Sequence, residues 1–192
     1  CWDLDGRNKK SLVLDLKSQQ GYAIVKKMLE TTDVLITNYH PSVLEALKLT
    51  YEEVKIINSS LVYAHGTGYG EKGEEIEKPG YDATAWWARS GMMDAVRPKE
   101  SELALAAPGM GDHPSSLSLV SGIMMALYAR SKTKEGSKVS SSLMANGIWA
   151  NSILVQAALS KNSKFFKPTQ ATTTNAMVNH YKCSDEKSFY LA

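Results

Sequence analysis

Short apolar runs alternate with segments of helical periodicity along roughly the first third of the chain. Compact runs of Val, Leu and Ile predict buried strands, and apolar residues that recur every three or four positions predict amphipathic helices. The predicted strands are Leu12–Leu16, Val34–Asn38 and Leu61–His65, and the predicted helices are Ser18–Thr31, Ser42–Leu47 and a short one that starts after Thr50. This β-α-β-α-β order is typical of a parallel sheet covered by helices, so we expect an α/β fold with a Rossmann-like parallel sheet.

Two of these helices carry specific start signals. Pro41 stands at the first helical position, where a backbone N–H would have no partner in any case. Thr50 and Glu53 have the spacing of a capping box, in which each side chain bonds the backbone N–H of the other residue. Both signals are local, so they predict where the helices begin.

The pattern changes after the third strand. The charged segment Glu71–Lys78 predicts a solvated loop, and Pro98–Gly109 predicts an irregular connection. The other predicted elements are helices at Tyr81–Gly91, Ser115–Ser131 and Leu143–Leu159, a strand at Val139–Ser142, and a hairpin of Val178–Tyr181 with Ser188–Leu191. The polar segment Lys161–Thr174 predicts a linker. We therefore expect a partial large domain over residues 1–160, and the linker with the start of a smaller domain over residues 161–192.

Composition narrows the class of protein. Hydrophobic residues make up 43% and charged residues 22% of the 192 positions, which is ordinary for a globular domain. A net charge of +2 without a basic stripe argues against nucleic-acid binding. We also expect no membrane association, because the apolar runs are short and interrupted and no secretory signal is visible. The chain begins with Cys1 rather than Met, which suggests a fragment.

Cysteine and histidine spacing predicts no metal site. Cys1 and Cys183 stand at opposite ends of the chain and form no C-x-x-C pair. The four histidines are scattered, without the spacing of a zinc-binding helix. We therefore expect no metal and a reducing, cytoplasmic environment.

Asp112 is the most distinctive candidate for chemistry. It lies in the glycine-rich loop Pro108–Pro114, directly before the strongest predicted helix. Carboxylates act as covalent nucleophiles in some enzymes, and the positive end of a helix dipole favours their ionised form. Asp is equally a preferred helix cap and turn residue. From the loop alone, both interpretations stay open.

Other motifs are weaker. Gly66–Gly70 follows a strand but reads G-x-G-x-G and is followed by a charged loop, so a plain turn is favoured over dinucleotide binding. Lysines 9, 10 and 17 form either a phosphate-binding group or a solvated face. Trp86 and Trp87 favour core or interface packing over ligand stacking.

Taken in order, several motifs resemble the class III CoA-transferases, the group that includes formyl-CoA and carnitine CoA-transferases. The likeness extends over nearly the whole chain, and its ordered set is far more specific than any one motif. The matching residues are Asn8–Ser11, Leu14–Lys17, Asp33–Val34, Asn38–Pro41, Leu61–Tyr63, Gly68–Gly70, Pro79–Asp82, Gly111–Asp112, Ala126–Thr133 and Gly136–Val139, with Tyr181–Asp185 similar to the entry into the family's smaller domain.

The resemblance implies roles for individual residues. Asp112 would be the nucleophile of an acyl-CoA:carboxylate CoA-transferase, forming an aspartyl mixed anhydride and then an aspartyl-CoA thioester. Coenzyme A, delivered as acyl-CoA, would contact two segments, with Lys17 available to a phosphate. Those segments are Leu14, Asp15, Leu16 and Lys17, and Asn38, Tyr39 and His40. Pro79, Gly80, Tyr81 and Asp82 would border the active site, with Tyr81 and Asp82 counted as catalytic candidates beside Asp112.

Two departures and two alternatives accompany this interpretation. Ala46 stands where formyl-CoA transferase carries a phosphate-binding arginine, and Ser42 replaces the usual glycine after Pro41. One alternative is an α-methylacyl-CoA racemase, but Tyr81 replaces the histidine of the racemase Gly-His-Asp motif, and an unperturbed phenol is a poor base at neutral pH. The other is a truncated, non-catalytic CoA-binding or dimerising fragment. The resemblance also implies a homodimer.

Overall fold

The structure, a computed structural model, describes residues 2–99, 101–160, 169–173 and 175–192. The chain divides into two compact units. The first contains residues 1–66 and 119–140, and the second contains residues 67–118 and 141–192. The predicted domain limits, 1–160 and 161–192, stay a prediction, since residues 161–168 and 174 of the predicted linker lie outside the described residues.

The first unit is built around a three-stranded parallel sheet with the order β1-β2-β3. In register, Val34 of β1 lies opposite Val62 of β2, and Thr37 lies opposite His65. The elements are α1 Trp2–Asp5, α2 Gln19–Leu29, β1 Val34–Thr37, α3 Pro41–Ala46, α4 Tyr51–Ile57, β2 Val62–Thr67, the greater part of α6 Asp112–Thr133, and β3 Lys138–Ser142. The expected α/β fold is confirmed.

Local chemistry fixes the helix starts in this unit. The Ser18 hydroxyl caps α2 by accepting the N–H of Gly21 at 3.0 Å. At α4 the predicted capping box is present, with Thr50 Oγ1 accepting the Glu53 N–H and Glu53 Oε2 accepting the Thr50 N–H at 3.1 Å. Pro41 is the first residue of α3, as its position predicts.

Apolar side chains from α2, α3, α4 and β2 form the core of the first unit. Tyr63 is fully buried there, and its hydroxyl donates to the carbonyl of Leu49 at 2.8 Å, so its polar end is satisfied. The buried members of this cluster are Leu29, Leu44, Leu49, Val54, Leu61 and Tyr63.

An arginine near the end of α6 bonds to the two segments that lead into β1 and β2. The Arg130 guanidinium forms an ion pair with Asp33 at 2.8 Å and donates to the Ser60 carbonyl at 3.2 Å. Asp33 directly precedes β1, and Ser60 lies in the turn before β2. One side chain therefore holds two connections beside the amino ends of neighbouring strands.

The predicted strand Leu12–Leu16 is wrong. The segment is irregular and ends in a turn, and the Val13 side chain is 91% exposed. Asp15 shapes that turn, because its carboxylate accepts the Lys17 N–H at 3.0 Å and its carbonyl accepts the Ser18 N–H at 3.1 Å. An apolar run forms a strand only where a neighbouring strand pairs with it, and no described strand does so here.

The second unit is largely helical. Its antiparallel hairpin agrees with the prediction and pairs Tyr181 with Phe189. The elements are a π-helix at Asp82–Ala88, α5 Met92–Ala95, the first turns of α6, α7 Leu143–Ala150, α8 Ser152–Leu159, a 3₁₀ turn at Gln170–Thr172, β4 Asn179–Lys182 and β5 Ser188–Leu191.

Two predicted helices differ in detail from the structure. The segment predicted as Tyr81–Gly91 is a π-helix, with the Arg89 N–H donating to the carbonyl of Thr84, five residues back, at 3.0 Å. The predicted helix Leu143–Leu159 is interrupted at Asn151. Asn151 is buried and its side-chain amide donates to the Ser90 carbonyl at 3.1 Å, so a tertiary hydrogen bond fixes the break.

Candidate active site

A tight loop delivers Asp112 to the start of α6. Gly109 has φ +75°, in the left-handed region that favours glycine. The N–H groups of His113 and Ser115 donate to the carbonyls of Gly109 and Gly111, at 3.0 and 3.2 Å. Both N–H groups are thus satisfied by backbone oxygens. The Asp112 side chain is therefore not needed as a cap.

Gly111 is buried against the π-helix. A Cβ placed on it would lie 2.6 Å from Trp86 Cβ and 2.9 Å from Asp82 Cβ, closer than any real Cβ contact. Only glycine fits this position without a shift of one of the two segments. This close approach brings the neighbouring residue, Asp112, beside Asp82.

The Asp112 carboxylate is exposed, and no described residue forms a hydrogen bond or an ion pair with it. Partial burial raises its pKa, and the nearby Asp82 carboxylate raises it further, while His113 acts in the opposite direction. The Asp112 side chain therefore does not cap the helix, and its role as a nucleophile stays a prediction. The carboxylate is held in place by its backbone and kept free of partners.

Three polar atoms beside this loop are buried without a hydrogen-bond partner among the described residues. They are Oδ2 of Asp82, Nε1 of Trp86 and Oγ of Ser115. The other oxygen of Asp82 accepts the Ala83 N–H at 2.7 Å. A buried polar atom without a partner costs about 1–3 kcal/mol, so each such atom in a native protein calls for an explanation such as a catalytic role or a bound water. Two of the three atoms belong to Asp82 and Trp86, the residues that pack on Gly111.

The two tryptophans of the π-helix have different roles. Their rings stack nearly parallel, with centroids 6.3 Å apart and planes inclined by 7°. The Trp87 indole N–H donates to the Ala104 carbonyl at 3.0 Å, which anchors the irregular Pro98–Gly109 connection. Gly147 of α7 packs on the Trp86 carbonyl, where a Cβ would come within 2.5 Å. Trp87 is thus a packing residue, whereas Trp86 keeps an unused donor next to Gly111.

The loop before the π-helix contains the other residues predicted to border the site. Gly80 crosses Gly68 so closely that a Cβ on Gly68 would lie 2.7 Å from the Gly80 Cα, while Pro79 is exposed. The Tyr81 side chain is 69% exposed, and its N–H donates to Thr84 Oγ1 at 2.9 Å. Gly68 therefore belongs to a tight backbone crossing.

The predicted CoA-binding residues lie in the first unit. Leu14 and Leu16 are half-buried, whereas Asp15 and Lys17 are exposed, and the Lys17 ammonium has no partner among the described residues. Asn38, Tyr39 and His40 directly follow the carboxyl end of β1. The Tyr39 carbonyl bonds Nε2 of the buried His65, at 2.8 Å, which fixes the backbone of this turn. The carboxyl ends of parallel strands are the usual ligand-binding edge of such a sheet.

Sequence reasoning did not point to two of the three buried polar atoms without a partner. Trp86 was assigned to packing, and Ser115 was only the start of a predicted helix. Ser115 is three residues after Asp112, a spacing that places two residues on one face of a helix, and this signal was present in the sequence. The unused indole N–H of Trp86 becomes visible only when its surroundings are known.

Comparison with known families shows which family the chain belongs to. The model of the family described as CoA-transferase family III matches residues 1–192. The chain is a member of CoA-transferase family III. This confirms the resemblance inferred from the motifs.

Individual relatives agree with this assignment. The chain is 38% identical over 96% of its length to cinnamoyl-CoA:phenyllactate CoA-transferase of Clostridium sporogenes, and covers 45% of that protein. It is 32% identical over 100% of its length to (R)-2-hydroxy-4-methylpentanoate CoA-transferase of Clostridioides difficile, and covers 47% of it. The chain therefore spans about half the length of the curated relatives it matches.

A solved structure shares the fold. A CAIB/BAIF family protein from Brucella suis superposes with a TM-score of 0.85 at 26% identity, over 96% of this chain and 48% of that protein. Among the described residues, no three His, Cys, Asp or Glu side chains are grouped so that they could hold a metal ion. No helix in the described part of the chain has both the length and the apolarity needed to cross a membrane.

Proposed function

We propose that this family member transfers coenzyme A from an acyl-CoA to a free carboxylic acid, with Asp112 as the nucleophile. The observation that carries the proposal is the Asp112 carboxylate, which is placed by a buried glycine and has no partner among the described residues. A carboxylate that only shaped the loop would use its oxygens on nearby N–H groups. The names of the relatives, all CoA-transferases, support the same reaction class.

The proposed first half-reaction has two balanced steps. An Asp112 oxygen attacks the thioester carbonyl carbon of the donor, the C–S bond breaks, and CoA leaves as a thiolate from an aspartyl–acyl mixed anhydride. The thiolate then attacks the aspartyl carbonyl, and the donor acid leaves as a carboxylate from an aspartyl-CoA thioester. No net proton is released, and each intermediate retains the activation of a thioester. Division into covalent steps is the advantage of this route.

The second half-reaction reverses the first with the acceptor. The acceptor carboxylate attacks the aspartyl-CoA carbonyl and expels the thiolate, which then attacks the acceptor carbonyl of the new anhydride. The new acyl-CoA leaves, and the Asp112 carboxylate is restored. Each tetrahedral intermediate carries an oxyanion that a backbone donor stabilises. The N–H of Gly111, which donates to no described residue, is the donor we assign to that oxyanion.

The local electrostatics suit a carboxylate nucleophile. Asp112 is the first residue of the 22-residue helix α6, whose dipole places positive potential at this end. That potential opposes the effects of burial and of Asp82, which raise the pKa of the carboxyl. We expect Asp112 to be ionised at neutral pH and more basic than an ordinary aspartate.

We assign the nucleotide part of CoA to the first unit. The segments Leu14–Lys17 and Asn38–His40 supply its contacts, with the unpartnered Lys17 ammonium directed to a phosphate group. The loop Pro79–Asp82 borders the acyl group. The chain covers about half of its relatives, so we assign the complete reaction to the full-length gene product.

Trapping the covalent intermediate tests the proposal. The full-length gene product is incubated with an acyl-CoA, quenched with hydroxylamine and digested, and the peptide containing Asp112 is examined by mass spectrometry. We expect an aspartyl hydroxamate at Asp112, and none in an Asp112→Ala variant, which unlike Asn cannot revert by deamidation. Asp185→Ala, an exposed aspartate in the hairpin turn, is the matched control.

Two results would overturn the proposal. One is CoA exchange that persists in Asp112→Ala with the aspartate peptide unmodified in the parent protein. The other is exchange of the substrate α-proton in deuterated water without any CoA transfer, which is the behaviour of a racemase.

A further inference from the structure

Residues 69–80 form a loop that closes on itself. Gly68, which precedes the loop, and Gly80, its last residue, approach so closely that a Cβ on Gly80 would lie 2.8 Å from the Gly68 Cα. Compact surface loops whose ends meet in this way are held by their own side chains and are frequently functional. The next residues along the chain are Tyr81 and Asp82, where the π-helix begins.

The Tyr69 ring is the packing centre of this loop. A Cβ on Gly80 would lie 3.0 Å from the edge of that ring, so the closing residue rests against it. The Lys78 ammonium lies 5.8 Å and the Arg89 guanidinium 5.6 Å from the ring centroid, both within cation–π range. Lys78 belongs to the loop, whereas Arg89 comes from the far end of the π-helix.

Glu75, at the middle of the loop, forms the second attachment. Both oxygens of its carboxylate accept from the Arg89 guanidinium, each at 2.9 Å, and Lys78 adds a bond at 3.0 Å. Bonds from Lys78 and Arg89 lower the pKa of the Glu75 carboxyl. A bidentate arginine–carboxylate pair fixes orientation as well as distance, which a lysine does not do.

Arg89 therefore connects the loop to the π-helix at a second point. The loop is joined covalently to the amino end of the helix through Tyr81, and Arg89 is the residue that follows the carboxyl end. Its backbone N–H completes the π-helical bond to Thr84. A helix attached at both ends to one closed loop has little freedom to rotate or unwind.

We infer that Arg89 is a positioning residue of the reaction, holding the π-helix so that Asp82 and Trp86 stay packed on Gly111 beside the nucleophile. The inference rests on the proposed function. Arg89 acts through the loop and the helix and does not touch the substrate. The ion pair itself is largely exposed, with 46% and 33% of the two side chains accessible, and such pairs contribute little to stability. Loss of this ion pair should therefore change the geometry of the site more than the stability of the fold.

Steady-state kinetics of three variants of the full-length gene product test this inference. Arg89→Gln removes the bidentate pair, and Arg89→Lys keeps only the charge. The control is Arg97→Gln, which breaks the ion pair of Arg97 with Asp94 at 2.8 Å in the same unit and a bond to the Ser101 carbonyl at 2.9 Å. We expect Arg89→Gln to lower kcat by roughly 10- to 100-fold, because small displacements of catalytic groups have effects of that size. The KM for acyl-CoA should stay within about twofold, since we assign the nucleotide contacts to other segments.

The conservative variant and the control give the expected order of kcat. Arg89→Lys should fall between the parent protein and Arg89→Gln, and Arg97→Gln should match the parent. Equal kcat values for Arg89→Gln and the parent, or an equal loss in Arg97→Gln, would overturn the inference.

Amide hydrogen exchange gives a readout independent of turnover. In Arg89→Gln, amides of residues 69–80 and 81–89 should exchange faster than in the parent, and in Arg97→Gln they should not. If amide exchange in Arg89→Gln equals that of the parent protein, the proposed attachment of the loop by Arg89 is wrong, whatever the activity of the variant. If the parent protein neither transfers CoA nor modifies Asp112, the proposed function fails, and the exchange experiment still decides whether Arg89 holds the π-helix.

Discussion

Replacing Gly111 by alanine tests whether this glycine places the nucleophile. The backbone of Gly111 lies outside the left-handed region, so alanine is allowed there by its own dihedral angles. The added methyl group would lie 2.6 Å from Trp86 Cβ, about 0.8 Å short of the 3.4 Å at which ordinary contact begins. The atoms it meets are a Cβ and a ring carbon close to the backbone, which cannot move away cheaply. The loop or the π-helix must shift by nearly 1 Å.

The expected change in the free energy of unfolding is the sum of two opposing effects. Overpacking of this kind costs about 1–3 kcal/mol, and the lower chain entropy of alanine in the unfolded state returns about 0.4–1 kcal/mol. We expect a net loss of about 1–2 kcal/mol in the free energy of unfolding, which lowers Tm by about 2 to 8 °C for a domain of this size. A shift of about 1 Å at Asp112 should lower kcat by up to roughly 100-fold.

Two measurements separate the effects, namely Tm by calorimetry and kcat from CoA-transfer kinetics at a temperature where the variant is folded. Gly66→Ala is the matched control, because a Cβ there would lie 3.8 Å from Leu119, in ordinary contact. It should leave kcat unchanged and leave Tm unchanged or slightly raised, because it retains the gain in unfolded-state entropy without the overpacking. A Gly111→Ala protein that loses stability but keeps its kcat would refute the positioning role. One that loses neither would refute the packing described around Gly111.

Three further predictions concern single side chains. Asp82→Asn removes a negative charge beside Asp112. The pKa of the Asp112 carboxyl should fall, although burial is the larger cause of its elevation. The acidic limb of the kcat/KM profile, where Asp112 becomes protonated, should therefore move to lower pH. Trp86→Phe removes a buried N–H without a partner, which offsets part of the cost of the space left by the smaller ring, so Tm should fall only slightly. A higher KM for the acid would show that this N–H serves the substrate. Arg130→Gln should cost about 1–2 kcal/mol in urea unfolding, and Asp33→Asn less, because Arg130 still donates to backbone carbonyls.

Local signals made much of the first unit predictable. The capping box of Thr50 and Glu53 and the helix start at Pro41 depend on a few neighbouring residues, and the structure contains both. Leu12–Leu16 failed because apolar composition alone does not supply a pairing strand. The break at Asn151 was invisible for a related reason, since the apolar pattern continues past it and the hydrogen bond to Ser90 that fixes it is a tertiary contact.

The sequence proposes the residues of the candidate site but does not show their local geometry. The ordered motifs pointed to a family, which is confirmed, and the catalytic roles of Asp112 and Asp82 that follow from the resemblance stay a prediction. Whether Asp112 caps its helix depends on which carbonyls the neighbouring N–H groups reach, and no sequence pattern reports that. The close contact of Gly111 with Trp86 likewise joins segments 25 positions apart in the chain, and only the folded structure shows it.

In the π-helix, the number of residues matters more for the position of the site than the identity of the exposed ones. Such a helix contains more residues per turn than an α-helix, and the removal of one residue returns it to ordinary winding. Deleting Ala83, an exposed residue, would shorten the spacing of Asp82 and Trp86 from four positions to three, so the two residues could not both keep their present approach to Gly111. Insertions and deletions between these two positions should therefore be far less tolerated than substitutions of the exposed residues among them.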